Sequence, residues 1–512
     1  MIAAFNSHKP YDQFILEQLA GDEIADVGDR RPATPQQIEA LAAAGFQRIG
    51  PIRRNAGNSS VVFSRNEVLT EMTDIVGAAF LGMTLGCARC HDHFFDPVRQ
   101  TDYYRMQAWF AATEPRDLML ADAVRRQEWQ QQTDSLDAQL KALQSALVTA
   151  DSSSTESLKQ QIRDAEARRP QPLPTLFTVQ HSVEGRSVIR LLARGDERKP
   201  EGPELGPRVP GVFLPDGAAS LRPETPNPRT QLARWLTAPD NPLTARVMVN
   251  RIWQHHFGQA LVETPNDFGI NGALPSHPRL LDWLADEFIR SGWDIGHIHR
   301  LILHSSTWSQ TSVPPPDQLA AGSRIDGANR LYWRQNRRRL SAEEIRDSLL
   351  ALGGRLNPSM GGPSVIVPVS RELVNLLYHP AQWSVSADPG EHARRSIYLM
   401  AKRNLRLPFM EVFDQADFLT SCPSRISSTH ARQSLELLNG SLSHELSERF
   451  AARLQHEVGD SADRQVDLAF RLAAGRRPTP AEQSVSLGFL RDSRLREFAL
   501  AMFSLNAFLY VE

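Results

Sequence analysis

The chain has 512 residues, 41% of them hydrophobic and 23% charged, enough for several domains with cores of their own. A formal net charge of −2 supplies no field that would recruit nucleic acid or an anionic membrane surface. Three cysteines exclude a disulfide framework, and no run of eighteen apolar residues exists to span a membrane.

The opening Met1-Ile2-Ala3-Ala4-Phe5-Asn6 lacks the basic and apolar regions of a signal peptide. Phe14, Ile15, Gln18 and Leu19 recur at helical spacing and predict a short helix over residues 10–22. Thr34 as N-cap, with Pro35 at the first helical position, opens a second through Ile38, Leu41 and Ala42. Ser64-Arg65-Asn66-Glu67 reads as a capping box, with Phe63 and Val68 placed as a hydrophobic staple. An apolar stripe runs from Val68 to Met83, and Gly86 is expected to end that helix.

Cys87-Ala88-Arg89-Cys90-His91 follows at once, then Asp92-His93. Two thiols three residues apart with an adjacent imidazole are what covalent haem attachment needs. The thiols add across the two vinyl groups of one porphyrin, and the imidazole reaches its iron. Cys87 and Cys90 are therefore candidate thioether links, and His91 the candidate proximal iron ligand. Two rivals stay open. Cys87, Cys90, His91 and His93 are four nitrogen or sulfur donors within seven residues, a set that suits zinc, with His93 as the alternative metal ligand. The thiols could also act bare, as a redox pair. Residues 102–112 predict a further helix whose Tyr103, Tyr104, Met106, Trp109 and Phe110 would wall a haem. Met83 and Met106 are local choices for a sixth iron ligand; His255 is the distant one, beside His256.

Leu136, Leu140, Leu143 and Leu147 repeat at helical spacing within residues 122–169, which reads as a helical hairpin or short coiled coil. Residues 170–228 are dense in Pro and Gly. Strands are expected at 175–179 and 187–192, joined by a hairpin around Glu184-Gly185, with Arg194-Gly195-Asp196 as a turn. From Arg229 onward helices dominate: one after Ser276, one headed by the Ser341 to Glu344 capping box, others over 431–438 and 463–474, and a last one opened by Pro478-Thr479-Pro480. Residues 395–405 fit strand or helix equally. Cys422 is expected to be a buried thiol, and His297, His299 and His304 read as surface or packing residues.

Two basic groups stand out, Arg334 with Arg337, Arg338 and Arg339, and Arg394, Arg395, Lys402, Arg403 and Arg406. Either they form a solvated face paired with acids such as Glu343, Glu344 and Glu411, or they bind an anion. Glu411 and Asp414 are only weak candidates for paired glycosidase carboxylates.

The order of several phrases carries a resemblance. They include Pro10-Tyr11-Asp12-Gln13-Phe14, Gly86-Cys87-Ala88-Arg89-Cys90-His91-Asp92-His93 with Phe95-Asp96-Pro97, and Asn250-Arg251-Ile252-Trp253-Gln254-His255-His256-Phe257-Gly258. Glu263-Thr264-Pro265-Asn266-Asp267-Phe268-Gly269 and Arg394-Arg395-Ser396-Ile397-Tyr398 continue it. The chain resembles the planctomycete-type cytochrome-associated family, the PSCyt/PSD pair of consecutive domains of unknown function. The resemblance implies a first domain carrying the Cys-x-x-Cys-His and a larger domain after it. It also implies that Met1 falls inside the first domain, and that the full-length protein is exported to the periplasm or cell envelope. It implies no particular reaction.

The expected architecture is mainly α and multidomain, with a small β-rich insertion between two helical domains. Residues 1–120 would be a truncated, cytochrome-like helical domain and 121–170 a helical hairpin or coiled coil. Residues 171–228 would be a small β-rich module, and 229–512 a large, mainly helical domain. The expected function is a c-type haem redox or electron-transfer protein, its cofactor covalent haem c. A redox partner protein or an anionic polysaccharide would be its partner, with no nucleic acid and no membrane span. The alternative is a non-catalytic binding or scaffold protein, possibly glycan-binding, with a structural Cys/His zinc knuckle.

Overall fold

At Thr34, Ser341 and Thr479 helices begin as expected. Thr34 accepts the N–H of Gln37 while the Gln37 side chain accepts the N–H of Thr34, heading the Pro35–Ala44 helix. The same reciprocal box heads Ala342–Leu352 through Ser341 and Glu344, and Pro480–Asp492 through Thr479 and Glu482. The computed structural model describes residues 1–27, 34–50, 61–148, 154–215, 217–418 and 421–511. Among them the chain is mainly α, with strands only in two-stranded pairs.

The chain divides into two compact units: Ala3–Thr244 with Gly292–Asp294, and Ala245–Ser291 with Ile295–Glu512. In the first, the Tyr11–Ala25 and Pro35–Ala44 helices pack face to face and bury Ile15, Leu19 and Leu41. Their approach is set by Gly21, where a Cβ would stand 1.9 Å from the Ala40 carbonyl oxygen. The Val61–Val76 helix starts earlier than the expected cap, so Ser64 lies inside it. The side chains of Phe63 and Ser64, on which box and staple rest, lie outside the described residues. This helix continues as one π-turn, Gly77–Leu81, and stops at Gly82, whose φ is 58°. Gly82 is the stop, not Gly86.

Strand β1, Thr113–Met119, pairs antiparallel with β2, Thr175–His181, from Thr113 opposite His181 to Met119 opposite Thr175. The helical hairpin, Ala123–Val148 and Thr155–Ala167, is thus an excursion between two paired strands, closed by Leu136, Leu140 and Ala165. The expected hairpin at Glu184-Gly185 does not form. Strand β2 is taken by β1, and only Leu191–Leu192 (β3) is extended in the next segment, pairing with Pro200–Glu201 (β4).

The second unit is built from helices around Ile345, Leu349, Phe450, Leu454, Val466, Phe470 and Phe503, all buried. Residues 395–405 resolve as neither strand nor helix but as a 3₁₀ turn at Ser396–Tyr398 with isolated bridges. Two helices, Leu495–Met502 and Asn506–Leu509, follow the one expected to be last. No helix among the described residues is long and apolar enough to cross a membrane.

Candidate cofactor attachment site

The Cys-x-x-Cys-His run is a 3₁₀ turn, Leu85–Arg89, with Cys90 as its C-cap. A 3₁₀ helix has three residues per turn, so side chains at i and i+3 eclipse. Leu85 and Ala88 accordingly fall on one side and are buried, while Cys87 and Cys90 fall on another and are exposed, unjoined thiols. The turn is seated on the π-turn before it. A Cβ on Gly77 would lie 2.8 Å from Leu85 side-chain carbons, so glycine there lets Leu85 settle.

From within, the turn is held by its backbone. The Arg89 carbonyl accepts from Gln100 Nε2 at 3.0 Å and from the Tyr104 hydroxyl at 2.9 Å. The Gln100 N–H donates to Asp92 Oδ1 at 2.8 Å. The Arg89 guanidinium stands 3.2 Å from Glu67.

His91 is exposed, with Nδ1 2.7 Å from the Asp92 carbonyl oxygen. A carbonyl only accepts, so Nδ1 carries a proton, and in the neutral ring Nε2 keeps its lone pair. That is the tautomer a metal-ligating imidazole takes when a backbone carbonyl orients it. The ring packs at 4.2 Å between centroids against Phe94, which is 79% exposed, and Phe95 beside it is 56% exposed. Exposed apolar surface therefore adjoins the imidazole. The donor set fits covalent haem: two accessible sulfurs on one side of a turn, and an oriented imidazole next to them.

The other expected neighbours behave differently. Tyr103, Tyr104, Met106, Trp109 and Phe110 are covered by protein, because the Gln100–Gln107 helix packs against Val61–Val76. They are core, not a free wall, and Met83 is buried likewise. His93 closes the following loop: its Nδ1 accepts the Asp96 N–H at 2.9 Å, and its side chain is nearly buried. Among the described residues no three His, Cys, Asp or Glu side chains gather as a metal-ion group. A small cleft in the same unit is lined by Gln47, Arg48, Val68, Glu71, Met72 and Pro115, not by the thiols or His91. The attachment surface is open.

Beneath the turn lies a residue that the sequence reading missed. Asp74 is 3.3 Å from where a Gly86 Cβ would be, and burial pushes its carboxyl up to about 6. Tyr103 and Arg89 pull it down and Glu71 and Glu67 push it up, though the Tyr103 hydroxyl does not reach hydrogen-bonding geometry. Only its helical spacing from the motif could have hinted at it.

His255 lies on the Thr244–Phe257 helix and belongs to the second unit. It is exposed; its pKa is lowered by desolvation first, then by Arg338, Arg425 and Arg251. The neighbouring His256 makes the closer contact, with Nε2 2.7 Å from Nδ1 of His299 and the Trp308 ring edge-on. Burial first, then His299 and His255, lower its pKa to about 4. A depressed histidine adds stability above its unfolded pKa near 6.5 and loses it as pH falls through about 4. Unfolding at pH 4 is therefore expected to need roughly 1–2 kcal/mol less than at pH 7 through this pair. His256→Asn should flatten that part of the profile in denaturant titrations; an unchanged slope would refute the assignment.

Part of each basic group is paired with acids. Arg338 forks onto Glu344, Arg339 meets Asp414 at 2.7 Å, and Arg394 lies over the Tyr398 ring with Glu391 at 3.1 Å. Asp414 also accepts from Ser428. Burial raises its pKa, but Ser428 and Arg339 outweigh that and hold it down, so it acts as a structural hub. Cys422, expected to be buried, is exposed, because its segment is irregular; its thiol donates to the Ser424 carbonyl.

Compared with known proteins, the chain matches PSCyt2, a protein of unknown function (DUF1549), over residues 1–115. It matches PSD1, a protein of unknown function (DUF1553), over residues 228–490. No curated protein and no solved structure matches it. The first helix of the PSD1 match, Pro228–Leu236, is structurally part of the first unit.

Proposed function

Because this chain belongs to the PSD1 family and carries a PSCyt2 domain ahead of that match, we propose for it a role as a carrier of covalent c-type haem in electron transfer at the periplasm or cell envelope. The observation that supports this reading is the pair of exposed, unjoined thiols on one side of a 3₁₀ turn, beside an imidazole whose Nδ1 is committed to a carbonyl. Bound haem would supply one-electron chemistry. Cys87 and Cys90 Sγ would hold it, and His91 Nε2 would face its metal. The Asp92 carbonyl orients His91, while Gln100 and Tyr104 hold the turn. Phe94 and Phe95 supply apolar surface for one edge of a flat ring. Attachment chemistry of this kind follows export, which is why the envelope is the proposed compartment. The partner fitting this role is a redox protein.

The test is a pyridine haemochrome spectrum on the denatured full-length chain, exported in cells with cytochrome c maturation. Porphyrin is expected to stay with the wild-type polypeptide and to be lost from the Cys87→Ser/Cys90→Ser variant. Colour that survives in the double variant, or a colourless wild type with stoichiometric zinc by elemental analysis, sinks the reading.

A further inference from the structure

The second cysteine has a neighbour 105 residues further along the chain. The Ala193–Gly195 turn lies against it. A Cβ at Gly195 would stand 2.9 Å from Cys90 Sγ, 3.4 Å from Arg89 Cγ and 3.5 Å from Arg89 Nε. Carbon and sulfur do not approach that closely without something moving. One flank of the Cys90 sulfur is therefore closed by the backbone of this turn, while the residue as a whole stays exposed.

The turn is built, not loose. Arg194 and Gly195 both take left-handed backbone, at φ of 52° and 74°. An arginine holds that conformation only where its surroundings enforce it. Here β3 pairs with β4, the Ala193 N–H donates to the Lys199 carbonyl at 3.0 Å, and the Asp196 N–H donates to the Ala193 carbonyl at 3.1 Å. Gln100 Nε2 then joins this segment to the cysteine turn, because it donates to the Leu192 carbonyl at 2.9 Å as well as to that of Arg89. A single amide thus spans both segments.

We infer that the Ala193–Gly195 turn fixes the Cys90 sulfur for attachment, with Gly195 as a positioning residue that makes room for it. The inference rests on the haem reading of the cysteine turn. Two thioethers to one porphyrin need both sulfurs placed at once, and a displacement of about 1 Å at a reacting atom can cost on the order of 100-fold in rate. A methyl group at position 195 would push the Cys90 sulfur off its place and leave Cys87 alone.

Gly202 provides the control. Its φ of 68° carries the same left-handed penalty, but a Cβ there would meet nothing within 4 Å. In the reduced, haem-free chain, Gly195→Ala is expected to change the ratio of Cys90 to Cys87 alkylation rates by about threefold or more, mapped by peptide mass. Gly202→Ala should leave the ratio unchanged. In matured protein, the wild type is expected to keep only Cys422 as a free thiol. Gly195→Ala should keep Cys90 as well, with one thioether at Cys87 and a shifted haemochrome band.

Equal ratios in the two glycine variants, or two intact thioethers in matured Gly195→Ala, overturn the inference. A wild type with three free thiols after maturation defeats the haem reading separately, and the alkylation ratio then decides the positioning alone. If Gly195→Ala folds poorly, Cys90→Ala placed on top of it should recover the stability lost beyond Gly202→Ala. No recovery counts against the contact.

Discussion

Arg229→Ala is expected to destabilise the first unit by about 3–5 kcal/mol, the usual consequence of removing one partner from a buried ion pair. Arg229 has no exposed surface. Its Nη1 and Nη2 fork onto the two oxygens of Asp22, each at 2.7 Å, and Nε lies 3.2 Å from Glu23. Nη1 also donates to the Leu19 carbonyl at 3.1 Å. Glu23 in turn accepts the Thr230 N–H and hydroxyl, both at 2.8 Å. These bonds join the Tyr11–Ala25 helix to Pro228–Leu236 across more than 200 residues of chain. Removing the guanidinium leaves two largely buried carboxylates without their cation, and that is the source of the loss. Arg229→Lys should not rescue, because an ammonium cannot fork onto Asp22 and reach Glu23 together. Hydrogen exchange of peptides from the Tyr11–Ala25 helix reads this unit directly. Adding Asp22→Asn should return part of the loss in a double-mutant cycle. A cost below about 1 kcal/mol would mean that the cluster is not the staple described.

The second large effect runs with pH. Asp74 is held up at about 6, chiefly by burial, against an unfolded value of 3.8. The folded state therefore binds the proton more tightly between those values. Stability from this group is full below about pH 4 and is lost as pH rises through about 6. Asp74→Asn keeps the neutral form at every pH. It is expected to stabilise the first unit by roughly 2–3 kcal/mol at pH 8 and by almost nothing at pH 4. The sign is opposite to that of His256, and the two act over the same pH range in different units, so each profile has to be read on its own unit. Denaturant midpoints at pH 4, 6 and 8 check this; a variant no more stable than wild type at pH 8 refutes it. Because Asp74 sits under the cysteine turn, the same variant should also tighten that turn, slowing hydrogen exchange across Leu85–Cys90.

Local chemistry was legible wherever it is completed within a few residues. The Thr34 N-cap and the Ser341 to Glu344 box each need only a few consecutive residues, and both stand where the sequence puts them. The end of the Val61–Val76 helix was not legible, because a π-turn and Gly82 stop it before Gly86. Strand β1 was hidden for another reason. Thr113-Glu114-Pro115-Arg116-Asp117 has the composition of a loop, and becomes a strand only by pairing with Thr175–His181. For the arginine groups the sequence offered a face paired with acids or an anion site; which acids meet them, Glu344, Asp414 and Glu391, is set only once the chain is folded.

By itself, the chain's order of residues determined the donor types and their spacing: two sulfurs three apart and an imidazole next to them, which a three-residue turn brings to one side. Tertiary structure alone decided that this side faces outward, that Asp92 sets the His91 tautomer, that the Phe94 ring packs on it, and that Gly195 closes one flank of Cys90. The physical reason is range. Periodicity and capping are satisfied within one or two turns, whereas burial, charge pairing and close backbone approach depend on atoms that only folding brings together.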